Sequence, residues 1–247
     1  MKNKNSIQFN LFIAIGLVLF LTSSCVKDET QFGTVTDIDG NVYNTITIGT
    51  QTWMVENLKT TKYNDGNAIP NVTDYTDWNN LTTPAYCWYG DHVSNKATYG
   101  ALYNWYTVNT GKLAPTGWHI PTDDEWTILE NYLIANGFNY DGTTTGNKYA
   151  KALASNTGWT SSTNEGAVGN TDYPAKRNAT GFSTLPGGLR INDMGFVSIG
   201  DQGYWWSSSE GDTNHAWYRF MSCGNSHVVG GDMPKIWGSS VRCLRDN

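Results

Sequence analysis

An unbroken run of 11 apolar residues at positions 11–21 divides this chain into a targeting segment and a part that can fold. Lys2 and Lys4 give the run a basic start, and small residues at 22–24 follow it. A membrane-spanning helix needs about 20 apolar residues, so this run is too short to cross a bilayer stably. The basic start, the apolar run and the small residues together are typical of a secretory signal peptide. Folding is therefore expected only in the residues that follow.

Cys25 comes directly after the small residues, and the stretch resembles the lipoprotein box of bacteria, in which cleavage precedes an acylated cysteine. The match is imperfect, because Leu21 lies one place further upstream than the usual leucine. We predict a signal peptide over 1–24, lipid attachment at Cys25 and a polar tether over 25–32. Each buried CH₂ of an acyl chain contributes about 0.8 kcal/mol, so several chains anchor firmly. An ordinary signal peptide with an incidental cysteine is the alternative.

The residues after the cysteine bear on where the protein faces. Lys27, Asp28 and Glu29 resemble the export tag of Bacteroidetes lipoproteins, which implies an outer-membrane lipoprotein facing the cell exterior. The alternative is that they form only a polar tether. Removing 1–24 takes two of the 16 basic residues and none of the 22 acidic ones, so the mature chain has net charge −8. This acidity argues against a nucleic-acid partner and leaves the lipid as the link to the membrane.

Composition indicates that the remaining chain folds. Aromatic residues make up 13% of the sequence, with 11 tryptophans, whereas charged residues make up only 15%. A disordered chain has the opposite balance. The 26 glycines, together with many Asn, Thr and Ser, indicate numerous turns and short strands. Because no linker or fixed-period repeat divides the chain, we predict one domain over 33–247.

The clearest helix signal is a capping box, in which Thr122 and Glu125 each accept a free backbone N–H at the helix start. Trp126, Leu129 and Leu133 follow at helical spacing and predict the buried stripe of this helix. Helix-compatible patterns also predict shorter helices over 99–108 and 148–155.

Strand signals lie on both sides of these helices. Asp39-Gly40 separates two β-rich runs and predicts a hairpin with a type I′ turn, in which both central residues have positive φ. Further strands are predicted at 51–55, 204–207, 216–222 and 239–244, and as a pair at 189–191 and 195–199. Helices in the middle with strands at both ends favour an α+β fold whose terminal strands meet in one antiparallel sheet.

The cysteines allow one intramolecular bridge. With Cys25 acylated, three of the four cysteines remain, so at least one thiol stays unpaired. Cys223 and Cys243 are the better disulfide candidates, because both lie in the strand-rich C-terminal part and the compartment is oxidising. Cys87, between Tyr86 and Trp88, is interpreted as a buried small hydrophobic residue.

The sequence contains no pattern typical of a catalytic, cofactor or metal site. HExxH, GxSxG and CxxC patterns and phosphate-binding glycine–lysine loops are absent from it. Cys223 and His227 are four residues apart, but they lie in a strand and loop region rather than a helix. His119 is interpreted as a structural histidine rather than a base. We therefore expect no enzymatic activity, no cofactor and no metal.

Two aromatic clusters are the best candidates for ligand binding. Because alternate residues of a strand face opposite sides, one of Trp205 and Trp206 is expected in the core and the other toward the loops. The candidate ligand-binding residues are Tyr204, Trp206, Trp217 and Arg219. An exposed Trp beside Asn or Asp can stack on a sugar ring, although burial in the core is the alternative for each of them. The Glu-Pro-Asn and Trp-Asn-Asp sequences of calcium-dependent lectins are absent.

Six ordered blocks of this sequence match a known family pattern. They lie at 51–58, 99–105, 115–126, 181–188, 203–210 and 240–246. With these blocks the chain resembles the Fibrobacter succinogenes major paralogous domain over nearly all of 33–246. That family is similar in fold to C-type lectin-like domains and to the formylglycine-generating sulfatase-modifying domain. The resemblance implies a mixed, mainly antiparallel sheet with two to three flanking helices and long loops.

The resemblance implies no agreed activity, and it places most members among secreted or surface lipoproteins. Ala114 stands where many members have a cysteine, so the usual partner of Cys243 is missing and Cys223 is its expected replacement. We expect a surface-anchored, non-enzymatic domain that binds an extracellular glycan or protein. One alternative is a structural or adhesive envelope protein without a small-molecule site. The other is an enzyme derived from the sulfatase-modifying scaffold.

Overall fold

The computed structural model describes residues 32–246 of the chain. The predicted signal peptide, the predicted lipid-bearing Cys25 and residues 25–31 of the predicted tether lie outside the described residues. Among the helices of 32–246, none is both long enough and apolar enough to cross a membrane.

Short strands and short helices alternate along the described residues. The strands are β1 (Phe32–Thr36), β2 (Val42–Ile48), β3 (Gln51–Met54), β4 (Tyr86–Cys87), β5 (Leu102–Tyr103), β6 (Trp118–His119), β7 (Gly187–Ile191), β8 (Gly195–Ile199), β9 (Gln202–Glu210), β10 (His215–Ser222), β11 (Val229–Pro234) and β12 (Leu244–Arg245). The helices are α1 (Tyr75–Asn79), α2 (Lys96–Tyr99), α3 (Trp105–Val108), α4 (Asp123–Ala135) and α5 (Ala150–Leu153). Turns of 3₁₀ helix lie at Tyr89–Asp91, Val93–Asn95 and Pro174–Lys176.

The strands form two five-stranded sheets and one two-stranded sheet. The first sheet has the order β1-β2-β3-β12-β6, the second has the order β11-β10-β9-β7-β8, and β4 pairs with β5. All pairs of these strands are antiparallel except β7 with β9, which is parallel. The fold is therefore α+β, mostly β with few helices, which confirms the predicted class.

The terminal strands meet as expected, but they do not account for the whole sheet structure. Leu244 of β12 pairs with Trp53 of β3, so the C-terminal strand joins the N-terminal hairpin in the first sheet. Strands β7 to β11 form a separate second sheet, so the prediction of one sheet is wrong.

Strand β9 shows why a second sheet forms. Trp205 is 2% exposed and Trp206 is 0% exposed, and they point into different hydrophobic clusters. The Trp205 indole donates to Asn57 Oδ1 at 2.9 Å, and the Trp206 indole donates to the Tyr103 carbonyl at 2.8 Å. The prediction that one of these tryptophans faces the loops is therefore wrong. A strand with a buried tryptophan on each face needs a core on each side.

Helix α4 confirms the capping-box prediction. Thr122 Oγ1 accepts from the Glu125 N–H at 3.2 Å, and Glu125 Oε2 accepts from the Thr122 N–H at 2.8 Å. Trp126, Leu129 and Leu133 are buried as predicted, against the first sheet and β9.

The helix predicted over 99–108 is instead two short helices separated by β5. Gly100 ends α2 with φ of 75°, and a Cβ there would lie 2.7 Å from the Leu58 carbonyl oxygen. Asn104 then starts α3, because its side chain accepts from the Thr107 N–H. The helix predicted over 148–155 is shorter than expected and corresponds to α5.

The β1–β2 hairpin forms as predicted, but its turn is not type I′. Gly40 is the only turn residue with positive φ, at 81°. The Asp37 carboxylate shapes the turn instead, because it accepts from the backbone N–H groups of Asp39 and Asn41 at 3.0 and 2.9 Å. A side chain that bonds the turn backbone removes the need for a second positive φ.

The predicted strands at 51–55, 204–207 and 216–222 correspond to β3, β9 and β10, and the predicted pair corresponds to β7 and β8. At 239–244 only Leu244 lies in a strand, β12. Strand β11 was not expected, because Gly230 and Gly231 give it low β-propensity and it lies at the edge of the second sheet.

The cysteines differ from the predicted pairing. Cys87, Cys223 and Cys243 are free thiols, so the expected Cys223–Cys243 disulfide is absent from the structure. The Cys223 N–H donates to the Asp201 carbonyl before β9, whereas the Cys243 carbonyl accepts from the Met54 N–H of β3. Each cysteine backbone is thus held by a different sheet. Cys87 is buried, as expected of a small hydrophobic residue.

Candidate functional site

The four candidate ligand-binding residues do not share one surface. Arg219 pairs directly with Trp205 across β10 and β9, so Arg219 and Trp217 lie on the sheet face opposite Trp206 and Tyr204. Trp206 is fully buried, and Tyr204 is half-buried against the rings of β10 residues on its own face. Only Trp217 is an exposed member of the set, at 37%.

Arg219 is a structural residue rather than a free ligand group. Its guanidinium, 5% exposed, donates from Nε to Glu130 Oε1 at 2.5 Å and from Nη1 to Asp123 Oδ1. Burial alone would lower the pKa of Arg219, but the hydrogen bonds to Asp123 and Glu130 outweigh burial and raise it. The charge of Arg219 is therefore used to hold β10 against α4.

Trp217 lies beside a group of polar side chains that the sequence did not reveal. Asp232 of β11 pairs directly with Trp217, and His215 lies two residues earlier on the same face of β10. One potential ligand atom from each of Asp212, His215 and Asp232 lies within 4.8 Å of the others. Hydrogen bonds from the backbone N–H groups of Asn214 and His215 lower the pKa of the Asp212 carboxyl.

The acid–histidine cluster, defined as Asp212, His215 and Asp232, has donor types that suit a divalent cation. Exposed acidic groups of this kind are common without an ion, and we assign no metal to the cluster. The sequence gives little sign that these residues lie together, because only the β10–β11 register brings Asp232 close to Asp212 and to His215 at the start of β10.

His119 has both of its ring nitrogens occupied. Nδ1 lies 2.6 Å from Asp246 Oδ1, and Nε2 lies 2.9 Å from Glu125 Oε1. These contacts join Asp246, directly after the C-terminal strand, to Glu125 at the start of α4, as a histidine with a structural role would. A cavity of about 230 Å³ opens beside it, with mainly apolar walls that include Val108 and Leu113. With both ring nitrogens bonded to carboxylates, His119 links β6 to α4 and to the residue after β12.

Comparison with known protein families identifies the family of this chain. A family model described as the Fibrobacter succinogenes major domain matches residues 46–245. This range contains the second sheet, α4 and the surface around Trp217. No curated protein and no solved structure matches the chain.

Proposed function

Because the chain belongs to the Fibrobacter succinogenes major domain family, we propose that it is a surface-anchored, non-enzymatic lipoprotein that binds an extracellular glycan or protein. The domain would be held by lipid on Cys25, at the outer membrane and facing the cell exterior. Residues 25–31 between that cysteine and β1 reach at most about 24 Å when extended. A link of this length keeps the domain close to the membrane and leaves it accessible to large extracellular ligands.

We propose further that the fold is C-type lectin-like. Its support is the pairing of the C-terminal strand β12 with the N-terminal hairpin in one sheet, with α4 packed beside it. An experimental structure superposed on C-type lectin-like domains tests this assignment. A different strand order in the second sheet from that of such domains would contradict it.

The exposure of Trp217 is the observation that carries the binding proposal. All 11 tryptophans lie in the described residues, and Trp217 is the only one of them whose side chain is largely exposed to solvent. An exposed indole loses contact with water when it stacks on a sugar ring or an apolar ligand surface. The neighbouring carboxylate of Asp232 and imidazole of His215 supply hydrogen-bonding groups of the type that fix a sugar hydroxyl.

The two buried cysteines give no support to the alternative of an enzyme on a sulfatase-modifying scaffold. Cys87 and Cys243 are buried, and burial raises the pKa of Cys87 to about 12 and also raises the pKa of Cys243. At neutral pH both remain protonated thiols, which are poor nucleophiles and poor metal ligands. We therefore favour a binding role over a catalytic one.

A glycan array with the purified protein and the Trp217→Ala variant tests the binding proposal. We expect the wild type to bind a subset of glycans and the variant to lose at least about tenfold in affinity for them, since one stacking aromatic contributes about 1–3 kcal/mol. Tyr75→Ala, which removes another exposed aromatic residue on α1, is the matched control and should bind like the wild type.

Two results would contradict the proposal in different ways. Equal binding by wild type and Trp217→Ala would move the site away from Trp217. No bound glycan at high protein concentration, together with no captured extracellular protein, would instead favour the structural or adhesive alternative.

A further inference from the structure

A second concave surface lies between the β1–β2 turn and the 3₁₀ segment before α2. It has a volume of about 310 Å³ and is lined by Asn41, Lys59, Val93, Ser94, Lys96 and Ala97. We call it the lysine cleft. Its volume is at the lower end of the range typical of small-molecule sites. The cleft uses no residue of the Trp217 surface.

The lysine cleft differs from the rest of the described residues because its two lysines are not paired with a carboxylate, whereas most other lysines are. Five of the eight lysines in residues 32–246 lie within 4.0 Å of a carboxylate, namely Lys62, Lys112, Lys148, Lys151 and Lys235. Within that same range, Lys59, Lys96 and Lys176 have no such partner. Two of these three lysines line one cleft. In a chain of net charge −6, this is a local concentration of uncompensated positive charge.

Both cleft lysines are held in position by aromatic rings. Lys59 Nζ lies 5.2 Å from the centroid of the Tyr43 ring, and Lys96 Nζ lies 5.5 Å from that of the Trp88 ring. Both rings belong to the buried core, so they are rigid supports. A cation over an aromatic face keeps its charge and its N–H donors, because the ring neutralises neither. The two ammonium groups are therefore preorganised for an anion.

The carboxylates of the adjoining β1–β2 turn are already engaged by other groups. Asp37 accepts hydrogen bonds from two backbone N–H groups, from the Asn41 amide and from the Tyr43 hydroxyl. Asp39 accepts from the Thr61 N–H and hydroxyl and lies 3.4 Å from Lys62 Nζ. Neither carboxylate forms an ion pair with Lys59 or Lys96 among the described residues, so both ammonium groups stay available to a ligand.

Polar groups without partners complete the lining. The Ser94 hydroxyl and the Asn41 amide oxygen make no hydrogen bond to any residue in 32–246, so one can donate and both can accept. Val93, whose side chain is exposed at 68%, adds an apolar contact at the rim. Two cations, one hydroxyl, one amide oxygen and an apolar edge match a ligand with an acidic group, hydroxyl groups and a C–H face.

We propose that the lysine cleft binds a carboxylated sugar residue, with the carboxylate between Lys59 and Lys96 and ring hydroxyls at Ser94 and Asn41. This inference rests on the proposed role in extracellular glycan binding, but it does not depend on Trp217. It narrows the ligand class from glycans in general to acidic ones. The net acidity of the chain then favours the cleft over other surfaces for such a ligand, because the rest of the molecule repels it.

Calorimetric titration of the purified full chain with glucuronate tests the proposal, with glucose as the neutral control of matched shape. We expect glucuronate to bind at least about tenfold more tightly than glucose, because only its carboxylate can accept charge-assisted hydrogen bonds from the two ammonium groups. Inorganic phosphate and sulfate form separate arms, and we expect both to bind more weakly than glucuronate. Raising the salt concentration should weaken glucuronate binding.

Variants locate the site. Lys59→Gln and Lys96→Gln should each weaken glucuronate binding about tenfold, whereas Lys148→Gln, which changes a carboxylate-paired lysine outside the cleft, should leave it unchanged. Trp217→Ala should also leave glucuronate binding unchanged. A failure of the cleft proposal can therefore be told apart from a failure of the binding proposal at Trp217. Equal binding of glucose and glucuronate, no binding of either, or no effect of both cleft variants would overturn the proposal. Phosphate or sulfate binding as tightly as glucuronate would overturn the sugar assignment.

Discussion

The buried cations that hold the fold together contrast with the lysines of the cleft. Arg219 and Lys151 have side chains that are 5% and 0% exposed, and each bonds a carboxylate. Lys59 and Lys96 are half-buried against aromatic rings and bond none among residues 32–246. A buried cation that bonds a carboxylate stabilises the fold, and its charge is compensated. A lysine that packs on an aromatic ring without a carboxylate can still attract an anion from solution. Among these four residues, the presence or absence of a bonded carboxylate separates the structural charges from the available ones.

Removing Arg219 should give the largest loss of stability. In Arg219→Met, Asp123 and Glu130 lose their shared cation while they remain about three-quarters buried. We expect the free energy of unfolding to fall by about 3 kcal/mol, the lower end for a broken buried pair. Urea denaturation measures this change. Arg245→Met removes an exposed arginine and should change stability by less than about 0.5 kcal/mol. Equal losses of unfolding free energy in the two variants would show that bonding to a carboxylate does not make Arg219 more important for stability than an exposed arginine.

The stability that the Lys151–Asp172 pair contributes should depend on pH, because it requires the charged form of the Asp172 carboxylate. Burial alone would raise the pKa of Asp172, but the hydrogen bonds from Lys151 and Gly166 outweigh it and lower the pKa below 3.8. A carboxyl whose pKa is lower in the folded state stabilises the fold above its unfolded pKa, and this contribution is lost as pH falls through the folded pKa.

We therefore expect Asp172→Asn to lower the free energy of unfolding at pH 7 by about 1–2 kcal/mol, since the buried ammonium loses its counter-charge but the partner is partly solvated. The difference from wild type should shrink as the pH falls below about 4. Urea denaturation at several pH values measures it. A difference that stays constant down to low pH would show that the charge of Asp172 is not the cause.

Removing a cleft lysine should have the smallest effect. In Lys59→Met no carboxylate is left without a partner among the described residues, and the methionine side chain can still pack on the Tyr43 ring. We expect the free energy of unfolding to change by less than about 0.5 kcal/mol. A loss comparable to that of Arg219→Met would mean that Lys59 is structural, and the contrast between the two kinds of cation would disappear.

Local signals in the sequence predict the local elements well. The capping box at Thr122 and Glu125 predicts α4, because its bonds lie within one helical turn. The β7–β8 pair follows from a short loop between two β-rich runs. The pattern over 99–108 misled because the chain breaks at Gly100, which has positive φ and packs closely against the backbone of Leu58, a residue distant in sequence.

Both candidate surfaces depend on contacts between distant parts of the chain. Asp232 reaches Trp217 and His215 through strand register, which the sequence does not encode in any short pattern. The lysine cleft joins Lys59, from the loop after β3, and Lys96, from the start of α2, and neither lysine lies in a recognisable motif. Trp217 could be singled out as an aromatic beside polar residues, but its exposure follows only from its place near the sheet edge.

The two tryptophans of β9 have a consequence for how the molecule opens. One strand serves as a wall of both large hydrophobic clusters, since Trp205 belongs to one and Trp206 to the other. Neither cluster can come apart without displacing the strand on which the other rests. We therefore expect the amide protons of β9 to exchange with solvent only when the whole domain unfolds, and the two clusters to melt as one cooperative unit.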